Sequence, residues 1–158
     1  MIAVLGHGDL SLLKASVGQA RELAALHALI FASSWDEASF GQLLGHPGAT
    51  AFLARVAAPP RTVGLILGRL AADEAELLTL GVHQGHRRHG IARSLVGLLT
   101  DAAKGAGATR LLLEVGRSNA AAVALYRGLG FRQVGLRQGY YEHPGQRRDD
   151  AFVLALAL

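Results

Sequence analysis

Cysteine is absent from the 158 residues. That excludes a disulfide framework, a thiolate metal site and a cysteine nucleophile. Aromatic residues make up only 6%, with a single tryptophan, and charged residues 18% against 51% hydrophobic. A disordered chain needs the opposite balance, so an ordered fold with a substantial core is expected. No apolar run approaches the roughly 20 residues that span a bilayer, which leaves no membrane partner. The opening MIAVLGHGD has no basic leader before its short apolar run and breaks at Gly6, arguing against a signal peptide. A cytoplasmic protein is the simplest expectation. Lysine is scarce as well: apart from Lys14 and Lys104, the 16 positive residues are arginine, against 12 acidic ones, for a net charge of +4. Arginine suits phosphate and carboxylate partners. The excess falls short of the basic stripe of a nucleic-acid binder, and Arg87 to Arg93 lacks the interleaved aromatics on which bases would stack.

What is present is organised around Leu77 to Arg93, LLTLGVHQGHRRHGIAR. Leu77 to Val82 is a short apolar run followed by turn chemistry, the mark of a buried strand. His83 to His89 is polar and basic and contains Gly85. From Gly90 onward the apolar positions Ile91, Leu95, Leu98 and Ala102 recur at helical spacing. A strand, a basic turn and a helix start outline an anion site, because the first amides of a helix lack intrahelical partners and carry partial positive charge. Gly90 has no Cβ, so a phosphate could approach the backbone there. A capped helix with a solvated basic turn is the plainer alternative. Neither the Walker A pattern nor G-x-G-x-x-G is present.

The rest of the chain reads as alternating elements of one domain, residues 1–158, with residues 1–10 a weakly patterned lead-in. Ser11 to Ala15 reads as a strand and Ala20 to Phe31 as a helix carrying Leu23, Leu26, His27 and Ile30 on one stripe, His27 as a structural histidine. Ser34-Trp35-Asp36-Glu37 fits a capping box opening a helix through Leu44. Ala49 to Val56 and Thr62 to Ala71 are strands separated by the turn-rich Ala57 to Arg61; with the strand ending at Val82 they predict an antiparallel meander. Thr109 to Val115 is a strand, Asn119 to Leu129 a helix closed by Gly130, and Phe131 to Leu136 and Ala151 to Leu158 are the last strands, with a polar loop, Arg137 to Asp150, between them. Strand–helix–strand units in the second half add parallel pairing, so the fold class is α/β with a mixed sheet.

Three sets of residues could carry chemistry. Glu114 lies on the face of Leu112, opposite Leu111, Leu113 and Val115. A carboxylate in an apolar strand is either a general base whose pKa burial raises, or a salt-bridged structural group. Asn119 and Tyr126, seven residues apart, share a helix face. The tyrosine could protonate a leaving group or belong to the core. His83, His86 and His89 recur at three-residue steps, but no carboxylate is near them in sequence, and a solvated basic turn is expected rather than a metal site. Trp35 is a core anchor or the lip of a pocket.

Two stretches resemble one family. Arg87-Arg88-His89-Gly90-Ile91-Ala92 has the form R-x-x-G-x-A, similar to the pyrophosphate-binding motif of the GCN5-related N-acetyltransferase (GNAT) superfamily. Glu114 to Phe131 resembles its signature E-V-x-x-S-N-x-x-A-x-x-L-Y-x-x-L-G-F, with the branch that acetylates the N-terminal alanine of a ribosomal protein most similar. The resemblance runs from about Leu12 to the C-terminus. It implies a GNAT-type, mainly antiparallel mixed sheet flanked by helices, and acetyl-CoA as co-substrate with no metal. It further implies that Leu80, Gly81, Val82, Arg88, His89, Gly90, Ile91, Ala92 and Arg93 hold acetyl-CoA, with Asn119 on the pantetheine. Glu114 would accept the amine's proton through water, and Tyr126 would protonate the departing thiolate. Trp35 and the pair Tyr140-Tyr141 would line the acceptor pocket for a protein or peptide N-terminus. Gly139 stands where the branch often has asparagine, the loop after Tyr141 is slightly longer, and the histidine-rich turn replaces the branch's Asp-Pro-Asp-Tyr. A small-molecule amine, a protein lysine, or CoA binding without turnover are the alternatives that these residues leave open.

Overall fold

The computed structural model describes the backbone of residues 3–5, 9–141 and 149–158, and side chains within 9–139 and 149–158. Eight strands form one sheet, in the order β1-β2-β3-β4-β5-β6-β8-β7. Ala3–Leu5 (β1) adds an edge strand antiparallel to Leu10–Ala15 (β2). Helices α1 (Ala20–Ile30) and α2 (Glu37–Leu44) follow, then the meander of β3 (Ala49–Ala57), β4 (Pro60–Ala71) and β5 (Glu74–Val82). Helix α3 (Ile91–Gly105) crosses to β6 (Arg110–Gly116), and α4 (Ala120–Gly128) leads to β7 (Arg132–Tyr141) and β8 (Asp149–Ala157). The α/β class and the mixed, mainly antiparallel sheet stand as expected; β5 and β6 form the parallel pair. No described helix is long and apolar enough to cross a membrane.

Strand alternation divides the core by face. Leu111, Leu113, Val115, Ile66 and Leu154 pack with Leu95, Leu99, Val123 and Tyr126 beneath α3 and α4. On the other face Leu53, Leu65 and Leu67 pack with Leu23, Leu26 and Phe40 of α1 and α2. The stripe of α3 is broader than the spacing predicts: Leu99 and Ala103 are fully buried, whereas Leu98 and Ala102 only border the core.

Local boundaries differ from expectation where hydrogen bonding outweighs pattern. The capping box at Ser34 does not form. Asp36 is the N-cap of α2 and accepts from Ser39 N at 2.8 Å; its carboxylate can also interact favourably with the helix dipole, as a serine hydroxyl cannot. The reciprocal box sits instead at Ser16 and Gln19, before α1. The connector Ala57 to Arg61 is largely hairpin, paired at Ala57–Pro60 and Val56–Arg61. The polar stretch from Arg137 is not a loop throughout: β7 continues to Tyr141 and β8 begins at Asp149. Edge pairing tolerates polar side chains that face solvent, so the alternation signal vanishes there.

The feature that shapes the site is a splay. Strands β5 and β6 pair only from Glu74–Arg110 to Glu76–Leu112. Beyond that point β5 stays on β4, while β6 stays on β8 as far as Gly116–Ala151. At the point of parting, Leu78 is skipped in the β4 register, because Gly68 pairs with Leu77 and Leu67 with Thr79. A bulge of this kind bends the strand and ends its pairing. A wedge therefore opens between two strands of one sheet.

Candidate active site

Peptide groups line one wall of the wedge. His83 N donates to Val63 O in β4, and alternate residues of a strand send their peptide groups to opposite edges. Leu80 and Val82 therefore direct theirs into the gap. The Val82 carbonyl is already taken, accepting from Arg87 Nε at 3.0 Å. Gly81 serves packing: a Cβ there would meet Ile30 Cδ1 at 3.0 Å and Phe31 Cε2 at 3.1 Å, so glycine lets α1 lie close on β5.

At the open end stands the start of α3. Gly90 is the N-cap at φ 79, and a Cβ on it would meet nothing within 4 Å. The left-handed conformation explains the glycine, and the open space around it leaves the backbone approachable. Ser94 N donates to Gly90 O at 3.0 Å, closing the first turn. No side chain caps the amides ahead of it and no acidic residue lies in that turn. Those amides and the dipole favour an anion. Arg88, at φ 64, and His89 are exposed on the approach. Arg93 turns toward α4, its guanidinium 3.8 Å from where a Cβ on Gly128 would sit.

The histidines of the turn do not form a metal cluster among the described residues. His83 Nδ1 accepts from Gly85 N at 3.2 Å, and the His83 and His86 rings lie edge to face at 5.8 Å. The His86 pKa is lowered, first by burial and then by the positive neighbours Arg61, His83 and His89. The exposed Arg87 and Arg88 keep the approach to the helix start positive.

Across the gap, Leu111, Leu113 and Val115 are buried against the α3–α4 side, so alternation places Glu114 on the α1–α2 face. Its carboxylate meets Arg137 Nε at 3.1 Å, reaching across β8 to β7. The carboxylate is thus salt-bridged, and Arg137, which the sequence put in a loop, is a partner that pattern alone missed. Tyr126 takes the other side. Its ring is 6% exposed and packs edge-on to Phe131 at 5.5 Å within the α3–α4 core. Asn119 is the N-cap of α4, Oδ1 accepting from Ala122 N at 3.2 Å, which leaves its amide nitrogen as the donor it can offer a ligand.

Asp149 holds the β6–α4 turn, and Asp150 ties β8 to β7. Asp149 Oδ2 accepts from Ser118 N at 3.0 Å and Ser118 Oγ at 2.7 Å. Asp150 Oδ1 accepts from Gly139 N at 2.9 Å. Gly139 has φ 58, a left-handed backbone that glycine adopts freely and that asparagine tolerates better than most residues with a side chain. Trp35 is half-buried between α1 and α2. It packs on His27 and Phe40 and also lines an open cavity of ≈ 290 Å³ with Ser39, Gln42, Leu43, His46 and Arg69. It is anchor and lip at once. The backbone of Tyr140 and Tyr141 ends β7, while their side chains lie outside the described residues, as does the loop after Tyr141.

Comparison with known proteins agrees with this geometry. The acetyltransferase (GNAT) family model matches residues 20–131. A ribosomal protein bS18-alanine N-acetyltransferase of Salmonella typhimurium is 34% identical over 124 residues, covering 78% of this chain and 81% of that protein. The N-alpha-acetyltransferase RimI of Mycobacterium tuberculosis is 37% identical, with 85% and 84% covered. The crystal structure of the ribosomal-protein-S18-alanine N-acetyltransferase from Escherichia coli superposes with a TM-score of 0.85 at 27% identity, covering 94% of this chain and 93% of that one. Splayed strands, an uncapped glycine-started helix and matches over most of the chain point one way: the protein belongs to the GNAT family of acetyltransferases.

Proposed function

We propose that the protein transfers the acetyl group of acetyl-CoA to the α-amine of a protein N-terminus, with a ribosomal protein beginning in alanine as acceptor, in one direct displacement. The observation that carries this reading is the two-sided wedge. The anion site and Tyr126 belong to the α3–α4 side, whereas Glu114 and Trp35 face the α1–α2 side. A thioester entering from one face can meet an amine arriving from the other, which is the arrangement direct transfer requires.

In this reading the pyrophosphate lies on the first amides of α3, over Gly90, Ile91 and Ala92, with Arg88, His89 and Arg93 at its rim. Pantetheine adds to the free edge of β5 at Leu80, Gly81 and Val82, and Asn119 donates to it. The acceptor passes between Trp35 and the pair Tyr140-Tyr141. The amine lone pair attacks the thioester carbon; the new C–N bond forms as C–S breaks. Backbone N–H groups beside the Leu78 bulge can polarise the carbonyl. Glu114, oriented by Arg137, takes the amine's proton through water, and Tyr126 gives its proton to the thiolate. The names of the relatives support the α-amine of alanine as acceptor, and such a substrate would place the reaction in the cytoplasm.

An acceptor panel tests this. Purified protein, acetyl-CoA and peptides beginning with alanine, serine or methionine, each carrying an internal lysine, are assayed by thiol release and the product is sequenced by mass spectrometry. Acetyl on the α-amine with alanine preferred is the expected result. Acetyl on lysine, or turnover only with small amines, would overturn the acceptor; CoA binding with no release for any amine would overturn the enzyme.

A further inference from the structure

Few polar side chains are deeply buried. Among the described residues they are His27 of α1 and Thr79 of β5, 2% and 7% exposed. They bond to each other, His27 Nε2 to Thr79 Oγ1 at 3.2 Å. The second ring nitrogen, Nδ1, accepts from Trp35 N at 3.1 Å. A backbone N–H only donates, so Nδ1 carries no hydrogen; the neutral ring's single proton sits on Nε2 and is donated to the threonine. Aromatic rings enclose it: Phe31 at 4.3 Å, Trp35 stacked at 5.0 Å and 21°, and Phe40 edge-on at 5.4 Å. Burial pushes the His27 pKa down to about 4, keeping the ring in the neutral form that both bonds require.

The two partners matter by position. Thr79 is the first residue of β5 to regain its β4 partner after the bulge at Leu78, where the wedge opens. Trp35 lies on the α1–α2 connector and lines the cavity beside α2. One imidazole thus ties the strand that walls the acetyl site to the loop that carries the acceptor lip. A satisfied polar pair is a costly way to fill a core that leucines fill elsewhere on this face, so packing alone does not explain it.

We infer that His27 is a positioning residue, which fixes the Trp35 lip against Thr79, next to the Leu78 bulge, so that the acceptor amine meets the thioester in register. The inference rests on the acceptor site proposed above. Removing either bond loosens the acceptor side and leaves the pyrophosphate end of the cofactor site unchanged.

The test uses His27→Leu and Thr79→Val, which keep apolar bulk and remove the bonds, beside His27→Gln and Thr79→Ser, which can restore them. Steady-state constants are measured with acetyl-CoA and the best acceptor of the wild-type panel. Both disrupting variants should lose tenfold or more in kcat/KM for the acceptor, while the KM for acetyl-CoA moves less than threefold, and Thr79→Ser should recover most of the loss. Trp35 is the only tryptophan, so its fluorescence reports the lip without turnover and should change in both disrupting variants. A lowered melting temperature with unchanged acceptor constants and unchanged fluorescence would reduce His27 to a core residue, and equal losses for both substrates would do the same. Thr79→Val, the gentler change, decides the matter if His27→Leu fails to fold. Absence of any wild-type turnover would instead sink the proposed function, while the fluorescence comparison still tests the clamp.

Discussion

The two sides of the wedge are built differently. The proposed cofactor side comes from one continuous stretch, β5, its following turn and the start of α3, between Leu77 and Arg93. The proposed acceptor side is assembled from pieces far apart in sequence: Trp35 before α2, and Glu114 on β6 salt-bridged to Arg137 on β7. A contiguous site depends on backbone amides and on a glycine's conformation; an assembled one depends on side chains packed and paired across elements. They should fail in different ways under mutation.

Loss of Tyr126's hydroxyl should have the largest effect, because in the proposed mechanism it protonates the leaving thiolate at the moment of transfer. Tyr126→Phe keeps the packed ring. Removing a proton donor costs roughly 10²–10⁴ in kcat, with acetyl-CoA affinity little changed. Stopped-flow thiol release checks this; a variant within about threefold of wild type would end the acid role, since that is under 1 kcal/mol. Glu114→Gln should also lower kcat, and the two losses need not add, because in the proposed mechanism both groups serve one transition state.

Next comes the contiguous side. Gly90→Asp puts a carboxylate where the first amides of α3 favour an anion, at a backbone angle that suits glycine. Acetyl-CoA affinity should fall by about a hundredfold or more, through charge repulsion and strain together. The fold should survive, since a Cβ there meets nothing. Calorimetric titration giving wild-type affinity would remove the anion site from this helix.

On the assembled side, Trp35→Ala should raise the acceptor KM by about tenfold, on the order of 1.4 kcal/mol, with a smaller effect on acetyl-CoA. Equal effects on both constants would return Trp35 to the core. A smaller difference is expected in acid. Ordinary histidine titrates near 6.5, whereas burial holds His27 at about 4. Between those values the unfolded chain binds a proton that the folded chain refuses, so the contribution of neutral His27 is complete above pH 6.5 and lost as pH falls toward 4. From pH 7 to 5.5 this amounts to roughly 1.2 kcal/mol, a little under one pH unit of linkage. Urea unfolding at the two pH values measures it, and His27→Leu should flatten the difference.

Legibility followed the same division. The strand–turn–helix was readable because its signals are local: Gly90 opens an apolar helical stripe directly after the run ending at Val82, and the structure puts a left-handed N-cap there. The meander and the helix beginning at Asn119 were readable for the same reason. The bulge at Leu78 was not, since it is a property of the register between β4 and β5 and leaves no mark in composition. Arg137 as the partner of Glu114 required knowing that β8 lies between β6 and β7. His27 could be read as structural from its stripe, but its bonds to Thr79 and Trp35 span 52 and 8 residues. Contacts of that range are fixed by the fold and not by any local pattern.

The central claim is that thioester and amine occupy the wedge together, one from each face. Initial velocities measured over a matrix of acetyl-CoA and alanine-peptide concentrations test it most directly. Double-reciprocal lines that intersect are the predicted result, because both substrates must be bound before CoA leaves. Parallel lines, with CoA released before the peptide binds, would contradict it.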